Sequence, residues 1–286
     1  MNRRAEQRSL RAWPAIIVAF IAMCAAPGGT HAQTDNGADR LTVHLSDPSR
    51  PGHVKANLIN GGITVNSYDG KDILIEARVR YAPPPRTYGG MHRLSTGNTG
   101  LTAEEENNEV LIGVESIFHL ADLTIMVPVH TSLSLRTVNS GNISVSGVDG
   151  DLDVSVINGG VMLENVSGST VAHTLNGKLV AKFSRVDPQK AMAFSSLNGD
   201  IDVTFPADLK ATLSLHSERG DAFSDFDVKP ADSPSQPLVD DWGTHGGKYR
   251  VRMDRTVHAT INGGGPDMHF STLNGNIFIR KSGGSH

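Results

Sequence analysis

Two pairs of carboxylates stand two residues apart: Asp151 with Asp153, and Asp200 with Asp202. Hydrolysis of a glycosidic bond needs two carboxyl groups about 5–10 Å apart on either side of it. Such pairs therefore invite that chemistry. Twelve histidines invite a metal ion. They are scattered, and neither His-x-x-x-His nor His-Glu-x-x-His occurs, so a zinc site lacks its usual spacing. His258 and His269 are the pair that stacked strands could bring together. Arg219-Gly220-Asp221 is the tripeptide that integrins read. Serine is plentiful, but the Gly-x-Ser-x-Gly elbow, the phosphate-binding loop and the dinucleotide fingerprint do not occur. No residue is assigned to catalysis, to a cofactor or to a metal.

The elements that must position these residues are marked by glycine. Gly141, Gly150, Gly159, Gly168 and Gly177 stand nine residues apart, in two alternating classes. One class follows asparagine: Asn139 with Gly141, Asn158-Gly159, Asn176-Gly177 and Asn198-Gly199, then Asn262-Gly263 and Asn274-Gly275. The other follows Val-Asp or Val-Ser, at Gly150 and Gly168, with Pro188 in its place one unit later. The unit is therefore about eighteen residues, with two strands and two corner types. Between corners the apolar residues alternate, as in Ile143 and Val145, or Ile201, Val203 and Phe205, which is the strand period. Asparagine and glycine suit corners that need positive φ.

Asn-Gly also marks hairpins, so an antiparallel meander is the rival architecture. Alternating corners fit a parallel solenoid better, because each type stacks in its own column. A six-residue helix has the wrong repeat. The calcium-binding nonapeptide helix needs doubled glycines that Gly150-Asp151-Leu152-Asp153 lacks. In a two-strand coil the carboxylate pairs fall on opposite faces and do not meet. Gly220 falls in an asparagine-type slot, one coil after Asn198-Gly199, which makes Arg219-Gly220-Asp221 a corner.

The chain has 286 residues, 5% aromatic and 20% charged, with 30 glycines. Its beginning reads as an export signal: Arg3, Arg4, Arg8 and Arg11 precede an apolar run, and Thr30-His31-Ala32 offers a small-residue cleavage site. Residues 1–32 are the expected signal peptide. Cleavage removes four arginines and Glu6, leaving 22 basic and 29 acidic residues and a net charge of −7. That balance disfavours nucleic acid. The apolar run is short for a membrane span, so no transmembrane helix is expected after cleavage. Cys24 is the single cysteine, and Met23 before it argues against lipid attachment. Without it no disulfide can form.

Residues 33–40 read as a polar tail and 41–281 as one β-solenoid. A first block carries Asn60, Gly61 and Gly70. Pro83–Pro85 and the acidic run at 104–106 mark 82–108 as a loop excursion, and 229–247 is a second. Four to six coils are expected in the regular block, about 133–226, with 249–279 closing the array.

The stretch 122–228 resembles the bacterial putative-adhesin family, a strand-repeat domain of unknown function related to toastrack solenoids. The resemblance rests on Leu123 to Pro128, ending Val-Pro, then Ser132-Leu133-Ser134-Leu135, then the repeated Asn-Gly corners. It implies an all-β, elongated parallel β-solenoid and brings no catalytic residues. The expected function is that of an exported, non-catalytic module for binding, adhesion or scaffolding in the cell envelope. It would sit in the periplasm or at the outer surface, with an envelope protein or glycan as partner and no cofactor. A signalling accessory with a membrane partner and a polysaccharide-processing β-helix are the alternatives.

Overall fold

The computed structural model describes residues 31–35, 38–80, 87–88, 91–92, 99–114, 120–231, 238–240, 250–252 and 256–283. The strands begin with β1 His31–Asp35, β2 Ala38–His44, β3 Gly52–Asn60, β4 Ile63–Tyr68, β5 Asp72–Val79, β6 Thr87–Tyr88, β7 Met91–His92, β8 Leu101–Glu106, β9 Glu109–Val114 and β10 Ala121–Pro128. The repeat region holds β11 Thr131–Asn139, β12 Ile143–Ser146, β13 Leu152–Asn158, β14 Val161–Gly168, β15 Thr170–Asn176, β16 Leu179–Val186, β17 Met192–Asn198 and β18 Ile201–Phe205. The chain ends with β19 Ala211–Ser217, β20 Ala222–Ser224, β21 Val228–Pro230, β22 Leu238–Asp240, β23 Arg250–Arg252, β24 Val257–Ile261, β25 Asp267–Asn274 and β26 Ile277–Lys281.

Two eleven-stranded sheets face each other. A coil is one strand from each sheet, and in six coils the two are joined at an asparagine corner. Along the axis the coils run β9/β10, β3/β4, β11/β12, β13/β14, β15/β16, β17/β18, β25/β26 and β19/β20. All pair in parallel with their coil neighbours, as a solenoid requires. Pairs such as Asn158 and Asn176 stand 18 residues apart, and the step to Asn198 is 22. The extra residues form the turn after β16.

Eight coils stack in all, five of them from the regular block. Several expectations are corrected. The coil order departs from chain order: β9/β10 lies outside β3/β4, and the final coil does not close the array but sits between β17/β18 and β19/β20. The ends are antiparallel. β8, β5, β2 and β1 cap one end; β24 and β21 cap the other. Residues 101–106, inside the expected excursion, form β8 and a hairpin with β9. The expected polar tail holds β1 and the start of β2. Residues 229–247 take in the end of β21 and β22, which pairs with β23. The expected signal segment, with Cys24, lies outside the described residues up to Thr30, and β1 begins at His31.

Alternation places one apolar column per inward position. Leu123, Ile63, Ile143, Val161, Leu179, Ile201 and Ile277 form one such column, each directly paired with the next. All are buried. Aromatic rings fill the later coils: Phe194 stacks on Phe270 with centroids 5.0 Å apart, and Phe183 on Phe205 at 5.2 Å.

Candidate binding surface

The asparagine corners build a ladder along one edge of the solenoid. The Asn158 side-chain amide donates to Asn139 Oδ1 (3.2 Å), Asn176 to Asn158 (2.9 Å), Asn198 to Asn176 (2.8 Å) and Asn274 to Asn198 (2.7 Å). Asn60 is in register with Asn139 at the near end. At the far end Arg219 takes the next place, its guanidinium donating to Asn274 Oδ1 at 3.3 Å. Arginine only donates, so it can end the ladder on this acceptor side. Arg219-Gly220-Asp221 is thus a corner, but its neighbour is Asn274-Gly275 rather than Asn198-Gly199.

The glycines beside the ladder serve close approach. A methyl group on Gly141, Gly159, Gly177, Gly199, Gly275 or Gly220 would come within 3.0 Å of the next coil's carbonyl oxygen. In this column only Gly61 has positive φ, at 134°, so the expected conformational reason is corrected to a steric one. Gly150 and Gly168 stack likewise at the second corner, where Gly168 also has φ of 101°. Gly70 and Asn262-Gly263 stand outside both columns. Gly70 lies in the turn from β4 to β5, and Asn262 (φ 48°) with Gly263 (φ 88°) ends the antiparallel β24.

Two residues before four of the six ladder asparagines, and before Arg219, an inward hydroxyl reaches the next coil. Thr137 donates to Gly61 O, Thr174 to Gly159 O, Ser196 to Gly177 O, Thr272 to Gly199 O and Ser217 to Gly275 O. The recurring Ser/Thr-x-Asn-Gly pattern is therefore a hydrogen-bonding unit. Leu58 and Val156 occupy the same place in their coils without a hydroxyl.

The residue between hydroxyl and asparagine points outward. Ile59, Val138, Ile157, Leu175, Leu197 and Leu273 precede the six ladder asparagines and form an unbroken aliphatic stripe. Ile59 is half exposed, and Ile157, Leu197 and Leu273 are also open to solvent. Five steps of about 4.8 Å make it ~24 Å long. Beside it on β13, β15, β17 and β25 run Ser155, His173, Ser195 and Ser271, then Asp153, Val171, Ala193 and His269. His173 Nδ1 and Ser195 Oγ lie 2.8 Å apart. Asp153 is the one charged residue among these eight, and Arg136 approaches it at 3.7 Å.

The outer face of the other sheet is its opposite in character. There Lys182 meets Glu164 at 3.4 Å, and Asp202 holds Lys178 at 3.4 Å and Arg280 at 2.7 Å. The second-corner edge is ionic too. Asp149 takes Arg185 at 2.9 Å, and Asp151 takes Lys190 at 2.7 Å and the Ser169 hydroxyl. The Lys190 hydrogen bond, with Ser169 assisting, holds the Asp151 carboxyl below its ordinary pKa.

The carboxylate pairs stay apart: Asp153 lies on one sheet and Asp202 on the other. His258 and His269 both flank Ser214 on neighbouring strands, two strand spacings or ~10 Å apart. No cluster of metal-ligating side chains occurs among the described residues. A groove of about 460 Å³ near the β1 end is lined by Leu45, Arg50, Tyr68, Lys71 and His130 among others. Burial raises the Tyr68 pKa, and its hydroxyl donates to Asp72 O at 2.8 Å.

Residues 132–254 match the model of a domain family of unknown function, Toastrack DUF4097. The match covers less than half of the 286 residues. The asparagine ladder and the stripe cross its near boundary to Asn60 and continue beyond it to Asn274. The chain is also similar to two solved structures. One is a putative cell adhesion protein from Clostridium sporogenes, 11% identical with a TM-score of 0.45, covering 86% of this chain and 100% of that one. The other is a putative adhesin from Bacteroides fragilis, 9% identical with a TM-score of 0.30, covering 86% and 98%. No curated protein matches the sequence. Among the described residues no helix is long and apolar enough to cross a membrane.

The stripe was visible in the sequence as the repeated leucine of Thr-Leu-Asn-Gly and Ser-Leu-Asn-Gly, but its meaning depended on knowing that the neighbouring threonine or serine points inward. The groove at Tyr68 and the surface pair Phe223 and Phe278 had no linear signal.

Proposed function

We propose that the protein is an exported, non-catalytic module that binds a component of the cell envelope, protein or glycan, for adhesion or scaffolding. The observation that carries this reading is the contrast between the two outer faces. One is laced with ion pairs. The other carries Lys55–Glu109 and Arg136–Asp153 towards its β8 end and otherwise presents small polar side chains and a ~24 Å aliphatic stripe, and depletion of charge with retained apolar area is the mark of an interface core. The ion-paired state of Asp151 supports the non-catalytic part. A general acid needs a raised pKa, whereas Asp151 is lowered by its lysine. Export rests on the four arginines and the apolar run that open the chain.

The test is retention of envelope extracts and arrayed envelope glycans by the purified mature protein, with and without Leu197→Glu and Leu273→Glu. Both side chains are exposed, so the fold should tolerate the charge. Retention that drops at least tenfold in the double variant supports the reading. Unchanged retention removes the stripe from it.

A further inference from the structure

A sheet edge is a row of unpaired backbone groups that proteins commonly protect. The second sheet ends at β8 and β21. β8 carries Glu104, Glu105 and Glu106, and β21 carries Lys229 and Pro230, all recognised deterrents to pairing. The first sheet ends at β1 and at β20. β20 is Ala222-Phe223-Ser224, without charge, proline or bulge, and all three residues are exposed.

Its open side can be read from its closed one. Ile277 N donates to Asp221 O, and Asp225 N to Ile279 O, each at 2.9 Å. Residues 221, 223 and 225 therefore turn their backbone towards β26. Backbone groups alternate in a parallel pair, so the N–H and C=O of Ala222 and Ser224 face away from it. Phe223 stacks on Phe278 with centroids 5.3 Å apart and planes 13° apart, and remains 52% exposed. One ring face is covered by Phe278, and the column continues in the direction of the open edge.

We propose that this edge accepts an extended peptide strand from a partner protein, parallel to β20, with an aromatic side chain seated against Phe223 and basic residues following it. β26 shows what β20 accepts on its other side, Phe278 against Phe223. Asp221 and Asp227 are exposed on either side of β20, which suits a basic strand. The second sheet runs two strands further than the first, with β24 and β21 forming a ledge beneath the open position. A single strand fits above a ledge. A second copy joined edge to edge by a two-fold axis would bring its own ledge into this one. Strand addition of this kind gains affinity from main-chain hydrogen bonds and selectivity from alternate side chains. The inference rests on the binding reading above and narrows the partner to a peptide.

The probe is a fluorescein-labelled peptide with the sequence of residues 275–282, titrated into the full mature chain. Binding should shift the amide resonances of Ala222 to Asp225. Phe223→Ala should weaken it about fivefold, the worth of one aromatic pair, and so should the peptide with its phenylalanine replaced by serine. Ser224→Pro removes an outward N–H and should abolish binding, while melting confirms that the solenoid is retained. Silent amides at 222–225 with millimolar peptide, or equal affinity for the Ser224→Pro chain, would overturn the proposal. A Ser224→Pro chain that loses the peptide yet retains its envelope ligand overturns this edge as the partner's seat and leaves the binding function standing. Loss of both supports the two together.

Discussion

The side-chain amide of Asn274 donates to Asn198 Oδ1 across 2.7 Å, although 76 residues separate the two in the chain. The bond joins the last coil to β17, and Asn198 in turn donates to Asn176 at 2.8 Å. Asn198 thus both gives and receives within the ladder. A leucine in its place removes both bonds and leaves its neighbours only solvent. Asn198→Leu should destabilise by about 1–2 kcal/mol, read as a lower urea midpoint with unchanged slope.

Gly177 and Gly263 both follow asparagine, yet for different reasons. Alanine at 177 would drive its methyl group into Gly159 O. Such overpacking against backbone should cost about 3 kcal/mol. At Gly263 no atom lies within 4 Å of an added methyl, and only φ of 88° opposes it. Gly263→Ala should cost about 1–2 kcal/mol. Equal losses in thermal unfolding would contradict the steric account of the ladder.

Thr170 is 1% exposed, and its hydroxyl has no hydrogen-bond partner. It sits between Leu152 and Met192 in an inward column. Thr170→Val keeps the shape and removes an unsatisfied group, so it should stabilise by about 1 kcal/mol. Val156→Thr should be tolerated for the converse reason, because its coil neighbours place a hydroxyl against a glycine carbonyl at that position. Differential scanning calorimetry of both variants checks the pair.

The Asp151–Lys190 pair sets a pH dependence. The carboxyl pKa is lowered in the fold, chiefly by the Lys190 hydrogen bond. Its stabilisation is therefore present above the unfolded value near 3.8 and is lost as pH falls through the folded value. The Lys190 pKa is raised, chiefly by the same bond, so its share is present below 10.5 and is lost as pH climbs through the raised value. Both side chains are about half exposed, and the effect should stay below ~1 kcal/mol. Lys190→Ala should flatten the stability curve below pH 4 and leave the slope near neutrality unchanged.

The repeat was legible because each turn of the solenoid imposes the same local demands. An inward hydroxyl, an outward aliphatic, an asparagine and a glycine recur wherever a ladder runs. Period two named the inward residues correctly at Ile143, Val145, Ile201 and Val203, and the different corners kept Asp153 and Asp202 on separate sheets. Spacing says which residues are equivalent, but not which equivalent coils are neighbours. Nothing local distinguishes Asn274 as the partner of Asn198 rather than of Arg219 alone. Asn262-Gly263 misled for a related reason, since two residues can make a corner by steric fit or by backbone conformation. The binding face was harder to see still, because charge depletion is a property of neighbours across coils.

The wedged final coil bears on how the chain reaches its native state. A solenoid whose coils stack in chain order could grow from its first coil onward. Here β17 and β18 finish their ladders only when residues 267–281 arrive, and β19 and β20 must wait for those same residues. A chain stalled before them holds two stretches of stack with nothing to join them.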